Sequence, residues 1–391
     1  MPESDKQPPE GECSCPEDYL NPLDSATPSL DECIRDKIAS HGNISFPKFL
    51  DLALYHPTLG YYARTDSQVG KKGDFYTSVS VGPLFGKLLA RRFLDWWEGN
   101  GKPTSWRILE IGAHDGKLAV DILTTLREIS SEASETLEYA ISEPLPRLRK
   151  AQRERLTPIA KRLHLASSLS ELSSSPLPGI AFGNEILDAL PFHLVEFISE
   201  EWREVHVGIG EEGSLELSNG NHASPLCEKL GNGFPENYRT EIRTNFRAFL
   251  ESVRSCLTDG LLLFIDYGFA APEYYDTQRT TGTLRTFSKH KAAEDPLDRP
   301  GELDITAHVD FTDLARAAAQ IGYFPTAFSN QGSYLTHLAK PLILSGAFEE
   351  PKTIAQFQAL THPAHLGGKF HAIELTKTGS VPPEVAHRLA L

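Results

Sequence analysis

The chain has few cysteines, no long apolar run and no concentration of basic residues, and each shortage narrows the possible functions. Its five cysteines are odd in number and scattered, which argues against a disulfide-stabilised secreted scaffold and leaves no complete set of metal ligands. No stretch approaches the roughly 18 consecutive apolar residues that a membrane span requires. The formal net charge is −15, whereas nucleic-acid binders usually carry a basic face. We therefore expect no membrane segment, no metal and no nucleic-acid partner, and an acidic chain suits a cationic partner better.

The first 30 residues have little that could build a hydrophobic core. They carry seven acidic side chains, six prolines and a single basic residue, Lys6, a composition typical of disordered segments. They also lack the apolar stretch of a secretory signal and the Arg-rich amphipathic pattern of a transit peptide. The sequence therefore predicts a disordered acidic tail over residues 1–30 and a cytoplasmic location.

Beyond this tail, the hydrophobic patterns predict two regions. Short helical patterns and aromatic-rich turns over residues 31–105 predict an N-terminal helical cap. From Trp106 onward, short buried strands alternate with amphipathic helices, the pattern of a doubly wound, Rossmann-like α/β sheet. Antiparallel strands and turns at about 194–240 and a long loop at about 269–309 interrupt this alternation. We expect both to be insertions in one domain over 106–391, with the long loop contacting a substrate protein.

A glycine-containing loop follows the first predicted strand of this sheet. Glycines at such a turn let the backbone bend sharply and approach a ligand, with the next helix pointing its N-terminus at it. The loop differs from the dinucleotide fingerprint G-x-G-x-x-G, since His114 and Lys117 stand where that fingerprint has glycine. This difference disfavours a nucleotide-dependent oxidoreductase. A purely structural role, in which the glycines close a tight turn, is the alternative to ligand binding. The positions that would cradle a ligand here are Glu110, Gly112, Ala113 and Gly116.

Acidic residues follow two further strands. Glu143 ends the second strand, where a carboxylate can accept hydrogen bonds from both ribose hydroxyls of an adenosyl group. Asn184 and Glu185 follow the fourth strand, and Asp188 lies three residues after Glu185, so that one helical turn would place both acids on the same face. Because ligands bind at the carboxyl ends of the strands in such sheets, we interpret Glu185 and Asp188 as candidate catalytic residues.

Five segments occur in a fixed order along the chain. They are Gly73–Ser78, the loop that begins at Glu110, Asn184–His193, Asp266–Gly268 and Gly301–Phe311. That order resembles the MidA family of class I S-adenosylmethionine-dependent methyltransferases, whose eukaryotic member is an arginine methyltransferase of mitochondrial complex I assembly. The likeness runs from about residue 35 to about residue 345, which is nearly the whole folded chain.

The resemblance implies a class I methyltransferase fold, S-adenosylmethionine as cofactor and methylation of arginine in a partner protein, in the eukaryotic member a complex I subunit. The segment from Gly73 to Ser78 would close over the cofactor. One departure is that this chain has Ala113-His114-Asp115 where the eukaryotic member has a more glycine-rich loop. The residues that would contact the cofactor are Glu110, Gly112, Ala113, Gly116, Glu143, Asn184 and Thr77.

Other functions stay open at this point. An O- or N-methyltransferase for a small metabolite would share the fold and the cofactor. A non-catalytic assembly factor would bind cofactor or partner only for structural purposes, but it would not need acids at both Glu185 and Asp188. Base methylation is disfavoured, since Glu185 and Ile186 rather than two prolines follow Asn184. The aromatic-rich segments fit a homodimer interface as well as a substrate contact.

Overall fold

The computed structural model describes residues 29–64, 77–288, 291–293, 295–346, 348–377 and 379–391. The α-helices in these ranges are α1 Leu30–His41, α2 Phe46–Tyr55, α3 Ser78–Val81, α4 Leu84–Gly99, α5 Lys117–Ile129, α6 Ser131–Thr136, α7 Pro146–Leu156, α8 Leu169–Ser173, α9 Phe246–Ser255, α10 Ala271–Tyr274, α11 Phe311–Gln320, α12 Gln331–Leu344, α13 Pro351–Thr361 and α14 Pro383–Leu389. The strands are β1 Ile44–Ser45, β2 Trp106–Ile111, β3 Leu137–Ser142, β4 Leu163–Ala166, β5 Leu177–Asn184, β6 His193–Ile198, β7 Glu201–Ile209, β8 Leu215–Ala223, β9 Tyr238–Ile242, β10 Leu257–Phe269, β11 Arg285–Ser288, β12 Lys291–Ala293, β13 Asp304–Thr306, β14 Val309–Asp310, β15 Phe324–Asn330 and β16 Phe370–Thr376. None of the described helices has the length and apolarity that crossing a bilayer requires.

An eight-stranded sheet forms the centre of the molecule. Its strand order is β15-β16-β10-β5-β2-β3-β4, with β14 pairing with the end of β10. The strands from β10 to β4 are parallel to one another, whereas β16 is antiparallel to both of its neighbours. The strand order reverses between β2 and β5, which lie side by side. The predicted doubly wound sheet is therefore confirmed, and its ligand site is expected at this reversal.

Successive residues of the central strands are buried on opposite faces of the sheet, as the period of two in a strand requires. Ile108 and Leu263 pack with helices α4, α5, α12 and α13 on one face. Leu109 and Leu262 pack with α8, α9, α11 and α14 on the other. Because both faces are covered, the central strands are continuous apolar runs, as in Leu261–Ile265.

The described chain begins with a capped helix. The carboxylate of Glu32 accepts the main-chain N–H of Ser29 at 2.6 Å, and Ser29 Oγ accepts the main-chain N–H of Glu32 at 3.2 Å. This reciprocal pair satisfies two donors that a helix start would otherwise leave exposed, so α1 begins at Leu30. The acidic tail predicted for residues 1–30 lies outside the described residues except for its last two.

A second, antiparallel sheet has the order β1-β7-β6-β9, with β8 paired to β7. It occupies most of the first predicted insertion, and helices α1 and α2 pack on it in one core that includes Phe46 and Phe192. Helix α4 packs differently, because its Trp97 contacts Trp106 in the core of the main sheet. The predicted cap boundary at residue 105 does not match this packing, and we propose that the cap ends before Leu84.

The second predicted insertion, at about 269–309, is structured rather than a loop. It contains α10 and a small antiparallel sheet of order β12-β11-β13. Glu241 of β9 anchors it, since its buried carboxylate accepts the N–H of Thr283 at 2.8 Å and the hydroxyl of Tyr274 at 3.1 Å. Tyr274 is thus part of the fold and does not face a partner protein. Directly after β13, the main-chain N–H of Ala307 donates to the carbonyl of Asp188 at 3.2 Å, so that β13 lies against the turn that follows β5.

Candidate active site

A cavity of about 1390 Å³ opens at the carboxyl ends of β2, β3 and β5. Gly112, Glu143 and Glu185 line it from these three strand ends, while Tyr62 from the N-terminal segment and Asp304 from β13 line it from above the sheet. The cavity therefore lies where the strand order reverses, and elements added to the main sheet cover it.

The loop after β2 comes close to the turn after β5. Gly112 has φ of +73°, and a Cβ added there would lie 2.5 Å from Cγ2 of Ile186, so only glycine fits. Ala113 beside it is buried and lines the cavity. Gly116, with φ of +80°, instead forms the N-cap of α5, and a Cβ there would meet the side chain of Gln152 at 3.5 Å.

Two buried glutamates lie at the ends of the first two strands. Glu110 accepts a 2.6 Å hydrogen bond from the hydroxyl of Tyr139, and burial raises the pKa of Glu110 to about 7 although this hydrogen bond lowers it. Glu143 accepts the main-chain N–H of Leu145 at 2.9 Å. Burial also raises the pKa of Glu143. Both carboxyl groups are therefore fixed in direction before any ligand binds.

The turn after β5 is strained and polar. Glu185 has φ of +56°. Residues other than glycine seldom adopt this left-handed backbone conformation, and those that do are concentrated at functional sites. The Glu185 carboxyl accepts a hydrogen bond from Asn184 Nδ2 at 2.8 Å, and the main-chain N–H of Ser78 also donates to it. Oδ1 of Asn184 is buried without a hydrogen-bond partner in the described structure, so this cavity residue retains an acceptor for a ligand N–H or O–H.

Asp266, at the end of β10, holds this turn in place. Its Oδ2 accepts three consecutive main-chain N–H groups, from Ile186 at 3.0 Å, Leu187 at 2.7 Å and Asp188 at 3.3 Å. A fully buried carboxylate with three such donors compensates the local cost of the left-handed residue. Asp266, from one of the five segments that carry the family resemblance, thus fixes the backbone that carries Glu185.

The two candidate catalytic acids have raised pKa values. Burial and the nearby charge of Asp188 raise the pKa of Glu185 to about 8, although the hydrogen bond from Asn184 opposes them. Burial raises the pKa of Asp188 as well, although Arg243 lowers it. Arg243 donates to main-chain carbonyls, including those of Asp188 and Ala307 at 2.8 Å. A bound cation would favour the ionised form of both carboxyl groups, so the pair favours a positively charged ligand.

The structure brings most of the predicted site residues together. Those that line the cavity are Thr77, Glu110, Gly112, Ala113, Glu143, Asn184, Glu185 and Asp188. Gly116 shapes the start of α5 instead of lining the cavity. Of the segment Gly73–Ser78, only Thr77 and Ser78 are among the described residues, and both are buried.

Among the cavity residues that were not predicted, Tyr55, Tyr62 and Asp304 have polar groups held by hydrogen bonds. Tyr62 donates its hydroxyl to Asp304 at 3.0 Å, and Tyr55 donates its hydroxyl to the carbonyl of Ala189 at 2.8 Å. The unusual number of tyrosines around residues 55–62 could have indicated that Tyr55 and Tyr62 lie in the site. Asp304 lies in the Gly301–Phe311 segment, but the sequence did not show which of its acids would point inward.

These residues fit a sulfonium nucleoside. The cavity offers a carboxylate at the second strand end for a ribose diol, a glycine turn that brings the backbone close to a ligand and an unsatisfied acceptor on Asn184. Together with the strand order, they define a class I S-adenosylmethionine-dependent methyltransferase. Residues 88–328 match the family model described as "Putative S-adenosyl-L-methionine-dependent methyltransferase", and the chain belongs to this family.

Curated relatives carry a more specific name. The protein arginine methyltransferase NDUFAF7 homolog, mitochondrial, of Drosophila melanogaster is 26% identical over 376 residues, which cover 88% of this chain and 83% of that protein. The human protein arginine methyltransferase NDUFAF7, mitochondrial, is 30% identical over 305 residues, covering 72% of this chain and 67% of its own length. The MidA resemblance is therefore confirmed.

A solved structure shares both fold and cofactor chemistry. It is a COG1565 superfamily protein from Burkholderia thailandensis bound to S-adenosyl-homocysteine, with a TM-score of 0.80 and 32% identity. The similarity covers 90% of this chain and 93% of that one. The predicted cofactor, S-adenosylmethionine, is thereby confirmed.

The predicted cytoplasmic location is wrong. The Drosophila and human relatives are named mitochondrial proteins. The prediction rested on the missing Arg-rich amphipathic pattern in residues 1–30, and the composition of one segment is too weak a signal to decide a cellular address.

Proposed function

We propose that this methyltransferase transfers a methyl group to a guanidinium nitrogen of arginine in a partner protein. The names of its relatives support a protein acceptor and arginine as the residue. The observation that carries the proposal is the pair of acids on the cavity wall, the half-buried Glu185 and the buried Asp188. A guanidinium needs carboxylates to replace its hydration, and this pair of acids can supply them.

The cofactor roles proposed for the strand-end residues follow from their positions. Glu143 would accept hydrogen bonds from the ribose, and the free acceptor of Asn184 would meet the methionyl ammonium group. Gly112 would let the backbone pass close to the nucleoside. The remaining proposed contacts are Glu110, Ala113 and Thr77, with Gly116 setting the direction of α5. When bound, S-adenosylmethionine supplies a methyl group on a positively charged sulfur.

The chemical task of the chain's own residues is to remove one proton from the acceptor. Arginine stays protonated at neutral pH, its pKa being above roughly 12, so the acceptor enters the site as a cation. As the acceptor nitrogen bonds to the methyl carbon and the carbon–sulfur bond breaks, that nitrogen must lose a proton. We assign the proton to the carboxylate of Glu185, while Asp188 holds the guanidinium in place. The covering elements keep water out of the reaction.

The partner and the assembly state extend the same proposal. The family resemblance favours a respiratory complex I subunit as the acceptor protein. A homodimer is also proposed, because the N-terminal segment carries several aromatic residues. Sedimentation of the full chain at several concentrations tests the dimer, and a single monomeric species throughout would exclude it.

The acceptor itself can be identified directly. The purified chain is incubated with S-adenosylmethionine labelled in the methyl group and with a cell extract, and labelled proteins are hydrolysed to amino acids. Label in methylarginine supports the proposal, and Glu185→Gln should abolish that label. Label only in small molecules would indicate a metabolite methyltransferase. Cofactor binding without any labelled product would indicate a non-catalytic assembly factor.

A further inference from the structure

One further acid, Asp304, lines the cavity from the elements that cover the sheet, in addition to Glu185 and Asp188. Asp304, at the start of β13, is 5% exposed and lines the same cavity. Its Oδ1 accepts the hydroxyl of Tyr62 at 3.0 Å, a contact between residues 242 positions apart in the chain. The tyrosine therefore fixes the direction of one oxygen of this carboxylate.

The strand that carries Asp304 is locked to the turn that carries Asp188. The main-chain N–H of Ala307 donates to the carbonyl of Asp188 at 3.2 Å. One guanidinium nitrogen of Arg243 donates to both the Asp188 and the Ala307 carbonyls at 2.8 Å. The geometry between the third acid and the first two is thus set by buried hydrogen bonds, as a preorganised site requires.

Two tyrosine rings lie beside these acids. The ring centroids of Tyr55 and Tyr62 are 5.4 Å apart, and both hydroxyls are fixed, one on the carbonyl of Ala189 and the other on Asp304. Loss of solvent around the hydroxyls is the main cause that raises the pKa of both tyrosines, and the charges of Asp304 and Asp188 raise it further. The rings therefore stand in the field of both acids, where an aromatic face attracts a cation.

We propose that Asp304 is the third carboxylate of the acceptor subsite and that Tyr62 is its positioning residue, so that the subsite takes a guanidinium in preference to an ammonium. This inference rests on the proposed function. A guanidinium has five N–H donors spread over a plane, which can meet carboxylates from several directions, and it loses hydration more readily than an ammonium. The flat cation also stacks on tyrosine faces.

The test uses two small probes, N-acetyl-arginine methylamide and N-acetyl-lysine methylamide. Each is titrated into the full chain saturated with S-adenosyl-homocysteine, at up to about 20 mM because affinities near 1 mM are expected for such fragments. The wild-type chain should bind the arginine probe at least about tenfold more tightly than the lysine probe, the loss expected when charge-assisted hydrogen bonds are missing.

The variants separate recognition from folding. Asp304→Asn should weaken binding of the arginine probe about tenfold, and Tyr62→Phe severalfold, with S-adenosyl-homocysteine affinity and melting temperature unchanged. Asp304→Glu, which keeps the charge, should restore part of the preference for arginine. Matched controls are Asp95→Asn, at an exposed aspartate of α4, and Tyr323→Phe, at a buried tyrosine outside the cavity.

Each outcome decides a different claim. If Asp304→Asn and Tyr62→Phe both bind the arginine probe like the wild type, the inference is overturned while the proposed function stands. If the wild-type chain binds S-adenosyl-homocysteine but neither probe, or prefers lysine, the proposed arginine specificity fails and this inference with it. A loss of cofactor affinity equal to the loss of probe affinity would show a structural role for Asp304 and would also overturn the inference.

Discussion

Asp188 lies close enough to Glu185 for its charge to act together with burial, and the two raise the pKa of the Glu185 carboxyl to about 8. Glu185 is therefore largely protonated at neutral pH while the site is empty. A group that takes the acceptor's proton must itself be ionised. Glu185 must therefore lose its own proton first, either because the pH rises or because a bound cation lowers the pKa of Glu185.

The first prediction is a pH profile. The kcat/KM for the acceptor protein should rise as pH increases through about 8 and then level off, because this ratio follows the ionisation of groups in the free enzyme. Asp188→Asn removes the repelling charge, which lowers the pKa of Glu185, so the remaining activity of that variant should rise at lower pH. A profile that is identical in both proteins would show that Glu185 is not the titrating group.

The second prediction concerns Glu185→Gln. The variant should bind S-adenosyl-homocysteine with unchanged affinity but lose turnover by about 10² to 10⁴, the range for a missing general base. Isothermal titration measures the first quantity and methyl transfer to the acceptor protein the second. The matched control is Glu211→Gln at an exposed position, which should behave as wild type. Full activity in Glu185→Gln would remove this residue from the mechanism.

The sequence was sufficient for features that depend on one strand and the residues directly after it. Glu143 and Gly112 follow buried apolar runs, and the carboxyl ends of parallel strands meet at one edge of the sheet, so their shared location could be predicted. Gly116 shows the limit of this reasoning, since a glycine in the same loop faces α7 rather than the cavity.

Contacts between distant segments could not be predicted in the same way. Asp304 lies on β13, which belongs to a small sheet near the Glu241 contacts. No periodic pattern in residues 269–309 predicted that sheet. The Tyr62 hydroxyl reaches it from a segment that precedes the main sheet. Such pairings depend on how three separate sheets pack together. The hydrophobic pattern of a single sequence does not reveal that packing.

The third prediction links the site to stability. Burial makes folded Glu185 hold its proton more tightly than the unfolded chain, where the pKa is near 4.5. Its contribution is therefore fully favourable below about pH 4.5 and is lost as pH rises to about 8. Glu185→Gln stays neutral, so at pH 8.5 it should exceed the wild type in unfolding free energy by on the order of 1–3 kcal/mol.

That comparison is made by denaturant unfolding of the cofactor-free proteins at pH 5.5 and pH 8.5. The advantage of Glu185→Gln should shrink at the lower pH, and Glu211→Gln should show no difference at either. An equal advantage at both values would contradict a titrating carboxyl as its cause.

The last prediction tests the close approach of the two loops. In Gly112→Ala the new Cβ would meet Cγ2 of Ile186 at 2.5 Å on a backbone with φ of +73°, so that the loop after β2 or the turn carrying Glu185 must move. We expect the affinity for S-adenosyl-homocysteine to fall at least about tenfold and stability to fall by about 1–3 kcal/mol.

Gly213→Ala is a matched control, because Gly213 has φ of +79° but nothing within 4 Å of an added Cβ. That variant should show the backbone strain alone, with cofactor affinity unchanged. The double variant Gly112→Ala, Ile186→Ala removes the obstructing Cγ2 and should recover part of the lost affinity. Affinity in Gly112→Ala equal to that in Gly213→Ala would mean that the contact between the loops does not shape the cofactor site.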